Sequence, residues 1–83
     1  MTRTNNQDQL FTTFDISLAA ALISKGFHLL DLDKTNPRKV QFLFKDSNNL
    51  QQVIDDYWSD SLQVNARTYF DDVKLLKNRI YTN

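Results

Sequence analysis

The residues that could carry chemistry are few, and the single histidine is the first of them. His28 stands between Phe27 and Leu29, and the 83-residue chain has no cysteine and no second histidine. A zinc site takes three or four Cys, His or carboxylate ligands, and a catalytic dyad needs a nucleophile within hydrogen-bond reach of its base. The sequence supplies neither pattern around His28. We therefore interpret it as a structural histidine in or at the edge of a strand.

Two acidic patterns resemble parts of a magnesium site. Asp31 and Asp33 alternate along one segment, which would place both carboxylates on one side of a strand end. Asp72 and Lys74 have the acid-x-Lys spacing of some nucleases. However, a turn follows the first pair at once, and the second falls in a predicted helix. Since Gly26 is the only glycine, no glycine-rich loop can hold a phosphate. We predict no catalytic residue, no metal site and no cofactor, and a protein that is not an enzyme.

The charged residues are segregated along a chain that is neutral overall, with ten basic and ten acidic side chains. Residues 34–45 carry only basic charges, and residues 46–60 carry only acidic ones. Basic and amide side chains on a β-ribbon can contact the phosphates of nucleic acid. The predicted nucleic-acid-binding residues are Lys34, Arg38, Lys39, Gln41 and Lys45. The alternative is an ordinary solvated strand face, on which lysines discourage aggregation.

A second group of residues suits a protein partner. Asp55 and Asp56 lie on the polar face of a predicted helix, while Leu75, Lys77 and Tyr81 lie at the margin of the buried stripe of the last helix or outside it. Such residues also occur on ordinary surfaces. The leading hypothesis is a small non-enzymatic protein-interaction module: an adaptor, an inhibitor, an accessory subunit or a self-associating protein. The alternative is a nucleic-acid-binding accessory protein that uses the basic hairpin face.

A helix and a β-hairpin must position the first of these residues. The apolar run at residues 16–23 predicts a helix that is capped by Thr12 or Thr13 and ends at Gly26 in a left-handed conformation. Residues 27–32 and 39–45 predict two strands joined by a turn at residues 33–38. The second strand alternates cleanly, with Phe42 and Phe44 on its apolar face. The first strand is apolar throughout, which leaves its register open.

Two further helices follow the hairpin. Ser47 is predicted to cap the first, whose buried stripe is Leu50, Val53, Ile54, Tyr57 and Trp58. We expect Trp58 to be buried against Phe42 and Phe44, and Asn65 to cap the last helix. The predicted fold is α+β in the order α-β-β-α-α, a hairpin covered on one face by three helices, and a third short strand from residues 8–12 or 61–65 is an alternative. Residues 1–10 are predicted to be a flexible tail, and residues 11–83 a single domain.

Composition also predicts where the protein works. A small secreted domain usually relies on disulfides, and this chain has no cysteine. Its first residues contain no apolar segment typical of a signal peptide. The longest apolar run is far shorter than the roughly 20 residues of a membrane span. We therefore expect a soluble, cytoplasmic protein with no membrane partner.

Four groups of residues together carry a family resemblance. They are Asp15-Ile16-x-Leu18-Ala19-Ala20-x-Leu22 with Gly26-Phe27, then Val40-x-Phe42-x-Phe44-x-Asp46, then Val64-x-Ala66-Arg67-x-Tyr69-Phe70, and finally Leu75-Leu76-Lys77-x-x-Ile80-Tyr81. In this pattern the chain from Thr13 to Tyr81 resembles a small bacterial and phage family catalogued only as a domain of unknown function. The resemblance implies phages, plasmids and other mobile elements as the setting, and it implies no activity. Family members often carry Asp-Pro where this chain has Asn65-Ala66, and Asn also caps helices.

Overall fold

The computed structural model describes residues 9–82 as six elements in the order β-α-β-β-α-α. They are β1 (Leu10–Thr13), α1 (Ile16–Ser24), β2 (Leu29–Asp33), β3 (Gln41–Lys45), α2 (Leu50–Trp58) and α3 (Ala66–Tyr81). The α+β class is confirmed. The third strand lies at residues 10–13, before α1, and residues 61–65 form none. The predicted tail ends inside β1, and its residues 1–8 lie outside the described residues.

Strand β3 is the centre of an antiparallel sheet with the order β1-β3-β2. Phe44 aligns with Phe11 of β1 and with Leu29 of β2, and Phe42 aligns with Leu32. Because side chains alternate along a strand, this register sends these apolar residues to one face. The exposed fractions of Phe42 and Phe44 are 1% and 0%, so this face of the sheet packs against the hydrophobic core.

One irregularity in β2 explains why its register could not be settled from the sequence. The pairing with β3 shifts between Leu29 and Asp31, so Leu30 is an extra residue, and it stays 47% exposed. Without the bulge, Leu29 and Leu32 would point to opposite faces of the sheet. The apolar run therefore follows the usual alternation of inward and outward side chains, except that Leu30 is inserted into it. His28 precedes the strand and is exposed, so it is not a strand residue.

Helix α1 occupies the centre of the core. Residues 18–22 are each no more than 2% exposed, and the helix contacts α2, α3 and β1. Three consecutive alanines at 19–21 keep its backbone close to these neighbours. Leu22 packs in the same cluster as Phe42 of the sheet and Leu76 of α3.

Helices α1 and α3 run in opposite directions, which gives the molecule two distinct ends. Lys25, just after α1, donates through Nζ to the carbonyl O of Gln63, just before α3, at 3.2 Å. Ile16, the first residue of α1, lines the same cleft as Ile80 in the last turn of α3. One end therefore combines the β2–β3 turn with the end of α3, and the other combines the α2–α3 loop with the end of α1. Within residues 9–82, no helix is long and apolar enough to cross a membrane.

The start of α1 corrects the sequence-based cap. Asp15 is the N-cap, and its Oδ1 accepts hydrogen bonds from the backbone N–H of Ser17 at 2.9 Å and of Leu18 at 3.3 Å. Thr12 and Thr13 belong to β1 instead. An aspartate at this position satisfies two of the free N–H groups of the first turn, and its negative charge suits the helix N-terminus.

Of the other two predicted helix caps, the one for α2 is wrong and the one for α3 is confirmed. Helix α2 begins at Leu50 after Asn49, which has a left-handed φ of 73° and makes no side-chain capping hydrogen bond. The predicted Ser47 cap is therefore wrong. Asn65 caps α3 as predicted, since its Oδ1 accepts a hydrogen bond from Thr68 N–H at 3.1 Å.

Trp58 is the largest departure from the predicted core. It is 64% exposed, whereas Leu50 and Ile54 of the same helix are 1% and 6% exposed. Eight residues after Leu50 the helix has turned about 80° past it, so the last stripe position lies at the edge of the buried face. Helix α2 also ends at Trp58, which leaves no following turn to cover the indole.

Candidate functional site

The residues considered for catalysis are separated or occupied by local hydrogen bonds. Asp31 Oδ1 accepts from Leu32 N–H at 2.8 Å, and Asp33 Oδ1 accepts from Thr35 N–H at 2.9 Å. Hydrogen bonds from the side chain and backbone of Thr35 hold the pKa of Asp33 below its usual value. In residues 9–82 no three His, Cys, Asp or Glu side chains are grouped to hold a metal ion. The two carboxylates therefore shape the β2–β3 connection.

The predicted nucleic-acid-binding residues do not form one track on the sheet. Gln41 and Lys45 alternate with the buried Phe residues of β3 and so lie on the outer face. Asp33 pairs with Gln41 on that face, and Asp31 lies on it opposite the next outward residue of β3. Lys45 pairs with Leu10, at the far end of the sheet from the β2–β3 turn. The outer sheet face is therefore mixed in charge, and its carboxylates repel phosphate.

The other three predicted residues turn toward the end of α3. Lys34 Nζ donates to the carbonyl O of Thr82 at 2.6 Å. Lys39 Nζ lies 4.9 Å from the centroid of the Phe14 ring. Arg38 and Lys39 line a cleft of about 340 Å³, which we call the basic cleft. Its full lining is Phe14, Ile16, Pro37, Arg38, Lys39, Val40, Phe42, Lys77, Ile80 and Tyr81.

The predicted partner-binding residues of α3 lie on two sides of the helix. Leu75 and Lys77 are two positions apart, which places them about 160° apart around the axis. Lys77 and Tyr81 are four positions apart and share one side, where both line the basic cleft. Leu75 is 50% exposed and Tyr81 is 83% exposed. No single partner could contact all three residues through one flat face of α3.

The predicted partner-binding residues of α2 are close to a different feature. Asp55 accepts a hydrogen bond from Gln51 Nε2, and Asp56 accepts one from Gln52 Nε2, both at 2.9 Å. Trp58 follows on the same helix. Asp55 is exposed and Asp56 half-buried, so the acidic face of α2 leads directly to the exposed indole.

Trp58 borders a groove that was not foreseen from the sequence. The groove has a volume of about 370 Å³, and we call it the aromatic groove. Its lining comes from α1, α2, the following loop and α3, and consists of Ala21, Tyr57, Trp58, Asp60, Leu62, Val64 and Tyr69. The rings of Tyr57 and Trp58 meet edge to face, with centroids 5.0 Å apart and planes at 86°. Three aromatic side chains therefore converge on this groove.

Hydrogen bonds to the start of α1 fix the two tyrosines of this groove. The hydroxyl of Tyr57 lies 2.7 Å from Ser17 Oγ, which itself donates to Asp15 Oδ1 at 2.6 Å. The hydroxyl of Tyr69 donates to the carbonyl O of Ser17 at 3.4 Å. Burial, with a smaller contribution from the neighbouring Tyr57, raises the pKa of Tyr69 above its usual value. The groove thus has a fixed aromatic wall rather than two mobile rings.

A tight turn fixes the loop side of the groove. Asp60 has a left-handed φ of 63°, and the backbone N–H groups of Ser61 and Leu62 both donate to the carbonyl O of Asp56, at 2.8 and 3.0 Å. These bonds close the end of α2 in the manner of a left-handed helix cap. After the turn, Leu62 and Val64 line the groove. Asp60 lines it too, together with the indole of Trp58.

The charge of the aromatic groove is acidic. Asp60 lines it, and no lysine or arginine of the described part of the chain does. Lys25 lies outside this lining and is bound to the carbonyl O of Gln63. One sequence signal could have indicated this site: a tryptophan at the end of an amphipathic stripe, followed at once by the polar turn at residues 59–61.

The family described as Domain of unknown function (DUF5659) matches residues 8–82 of the chain. The resemblance to a family of unknown function is thereby confirmed. No curated protein and no solved structure matches the chain significantly.

Proposed function

Since the chain belongs to DUF5659, a family of unknown function, its role has to be inferred from its own surface, and we propose a non-enzymatic protein-interaction module. The binding site is the aromatic groove. The occupant is a segment of another protein that carries Arg or Lys next to an aliphatic side chain. The observation that carries this proposal is the exposure of Trp58. Its side chain is 64% exposed and borders a groove in which the one charged lining residue among the described residues is Asp60.

The apolar part of the proposal rests on the kind of residues in the groove. Tryptophan and tyrosine are the residues most enriched at the energetic centres of protein interfaces. Trp58, Tyr57 and Tyr69 lie together here, with Leu62 and Val64 beside them. A bound aliphatic side chain would remove this apolar surface from water, which stabilises the complex by about 25 cal/mol per Å².

The charge of the occupant follows from the acidic residues around the groove. Asp60 is available to pair with a cation, and Asp55 and Asp56 extend the negative surface along α2. A guanidinium or ammonium over an indole also gains a cation–π interaction, for which tryptophan is the best acceptor. An acidic segment would be repelled by the same residues. The groove therefore favours a basic segment over a neutral or acidic one.

The rigidity of the groove supports binding without large rearrangement. Tyr57 and Tyr69 are held by Ser17, and the Asp60 turn is closed by two backbone hydrogen bonds. A preformed site loses less conformational entropy on binding than a disordered one. A small adaptor, inhibitor or accessory subunit works in this way, by presenting one fixed surface.

The proposed setting is the cytoplasm of bacteria that carry phages or other mobile elements. The family resemblance supports the mobile element, and the absence of cysteine supports a reducing compartment. In that setting the basic segment would belong to a host protein or to another protein of the element.

A peptide display library tests the proposal with no need for an identified partner. Random 12-residue peptides are selected on the wild-type protein alone, and the enriched peptides are then measured on Trp58→Ala. We expect the enriched peptides to share Arg or Lys beside an aliphatic residue. Their affinity should fall at least tenfold on Trp58→Ala and several-fold on Asp60→Asn. Since Trp58 is the only tryptophan, its emission should shift to the blue when such a peptide binds.

The matched control is Phe70→Ala, which removes an aromatic ring 60% exposed that does not line the groove. It should leave peptide binding unchanged. Peptides that are predominantly acidic, or that bind Trp58→Ala as tightly as wild type, would refute the proposal. A blue shift of Trp58 emission on raising the protein concentration alone would mean that a second copy fills the groove, which also contradicts a basic peptide as occupant.

A further inference from the structure

The basic cleft brings together cations from two distant parts of the sequence. Arg38 and Lys39 come from the β2–β3 connection, and Lys77 comes from α3. All three are exposed, and within residues 9–82 no carboxylate lines the cleft. A concave surface lined by one sign of charge focuses the electric field and concentrates counter-ions. In a chain with no net charge, such a surface indicates an anionic ligand.

The end of α3 accounts for some nearby cations but not for Arg38 and Lys39. The helix C-terminus carries partial negative charge, which basic side chains neutralise. Lys34 does so by donating to Thr82 O, and Arg79 lies in the last turn. Within residues 9–82 neither Arg38 nor Lys39 donates a side-chain hydrogen bond to α3; their backbone N–H groups both bond to Asn36. They therefore add positive charge beyond what the helix end requires.

Two aromatic rings accompany the cations. Tyr81 is 83% exposed and Phe14 is 51% exposed, and both line the basic cleft. Lys39 Nζ already lies over the Phe14 ring, at 4.9 Å from its centroid. Tyr81 is thus the ring with the most accessible surface. An exposed ring beside several cations is the combination with which proteins bind unpaired nucleotides, since bases stack on the ring while phosphates contact the cations.

We propose that the basic cleft binds a short stretch of single-stranded nucleic acid. Arg38, Lys39 and Lys77 contact consecutive phosphates, and a base stacks on Tyr81. Single strands fit better than a duplex because the bases of a duplex are stacked on each other and cannot reach the tyrosine ring. The cleft lies where the β2–β3 turn meets the end of α3, and it shares no lining residue with the aromatic groove, so this site is separate from the proposed protein-binding site.

Fluorescence anisotropy of a labelled ten-nucleotide oligo(dT) at about 50 mM salt tests the site. Wild type should bind, with log K falling by roughly 2 per decade of salt if three phosphates are contacted on a single strand. Lys77→Ala and Arg38→Ala should each weaken binding and reduce that slope by about 0.7. Tyr81→Ala should weaken binding about tenfold. Tyr81→Phe should bind as tightly as wild type, since stacking needs the ring alone.

Lys45→Ala is the matched charge control, because Lys45 is exposed on the sheet far from the cleft. It should leave binding unchanged. The proposal fails if wild type does not bind the oligonucleotide, or if Lys45→Ala weakens binding as much as Lys77→Ala. It also fails if Tyr81→Ala has no effect, or if a ten-base-pair duplex or an oligo-aspartate of equal length binds as tightly. Each of those results would mean that the cleft binds anions without selectivity or does not bind nucleic acid.

Discussion

At the scale of single residues, Gly26 shows a backbone position that the sequence predicted correctly. It follows α1 with a φ of 98°, and no atom lies within 4 Å of where a Cβ would stand. Any loss on substitution therefore comes from backbone strain and not from a clash. We expect Gly26→Val to lower the free energy of unfolding by more than about 1 kcal/mol in urea denaturation.

Gly26→Asn is the matched comparison for this position. Asparagine adopts the left-handed region more readily than other residues with a side chain, so its loss should be smaller than that of valine. The backbone N–H of Phe27, which donates to Leu22 O at 3.0 Å, closes the helix in both variants. Coincident unfolding curves for wild type and Gly26→Val would contradict the strain assigned to Gly26.

Gly26 and Trp58 show why some residues could be predicted and others could not. A lone glycine at the end of an apolar run has one main physical explanation, the left-handed cap. A tryptophan at the last position of an apolar stripe has two, because it either completes the core or borders a site. The choice depends on whether another element covers it. None of the described residues does, and that fact lies in the tertiary structure.

At the scale of the elements, the helix caps give a direct test. Asn65 Oδ1 accepts from Thr68 N–H at 3.1 Å, so Asn65→Ala should lower the free energy of unfolding by about 1 kcal/mol. Ser47 contributes only its backbone carbonyl, which accepts from Leu50 N–H at 3.2 Å. Ser47→Ala should therefore be within about 0.5 kcal/mol of wild type. A larger loss for Ser47→Ala than for Asn65→Ala in the same urea titration would reverse the assignment of the caps.

Strand β1 is the element whose place the sequence could not fix. Its four residues are too few for alternation to be distinguished from the entry to a helix, and Thr12 and Thr13 suit a helix cap equally well. What makes this segment a strand is its pairing with β3, for example Phe11 with Phe44. A partner so distant in sequence leaves no local pattern. Longer elements such as α3 were predictable because their own periodicity is sufficient.

At the scale of the whole molecule, two carboxylates act oppositely on stability as the pH changes. The pKa of Asp33 is lowered by its hydrogen bonds with Thr35, so its contribution is present near neutral pH and is lost as the pH falls through that lowered pKa. The pKa of Asp72 is raised, first by burial and then by the charge of Asp71. Ionised Asp72 therefore destabilises the fold, and this penalty disappears as the pH falls below the usual aspartate range.

Asp72→Asn should therefore stabilise the protein at pH 7 and lose this advantage in acid. Above the raised pKa the variant lacks the penalty of a charged, half-buried side chain, whereas at low pH both proteins are neutral at this position. Urea denaturation of both proteins between about pH 3 and pH 7 measures the difference. Asp46→Asn is the control for charge alone, since Asp46 is exposed and lies outside α3. A constant difference across the pH range would disprove the role of ionisation.

The two candidate sites show how far a sequence predicts a surface. Charge segregation grouped residues 34–45 as one basic face, but the fold distributes them between the outer sheet face and the basic cleft. Lys77 and Tyr81 were predicted as partner-binding residues from α3 alone, and in the fold they share the basic cleft with Phe14 and Arg38, which come from elements far away in the chain. A sequence pattern groups neighbours along the chain, and both sites are formed by residues brought together only in the folded molecule.

The strand order has a consequence for the protein during its synthesis. Strand β1 leaves the ribosome first, but its partner β3 follows about 30 residues later, which takes roughly 2–6 s at typical elongation rates. The β2–β3 hairpin closes locally, so β3 has one free edge until β1 docks. A β1 strand from a second copy of the chain would pair with that free edge of β3 through the same hydrogen bonds. The exchange of β1 between two copies is therefore the form of domain swapping that this strand order permits.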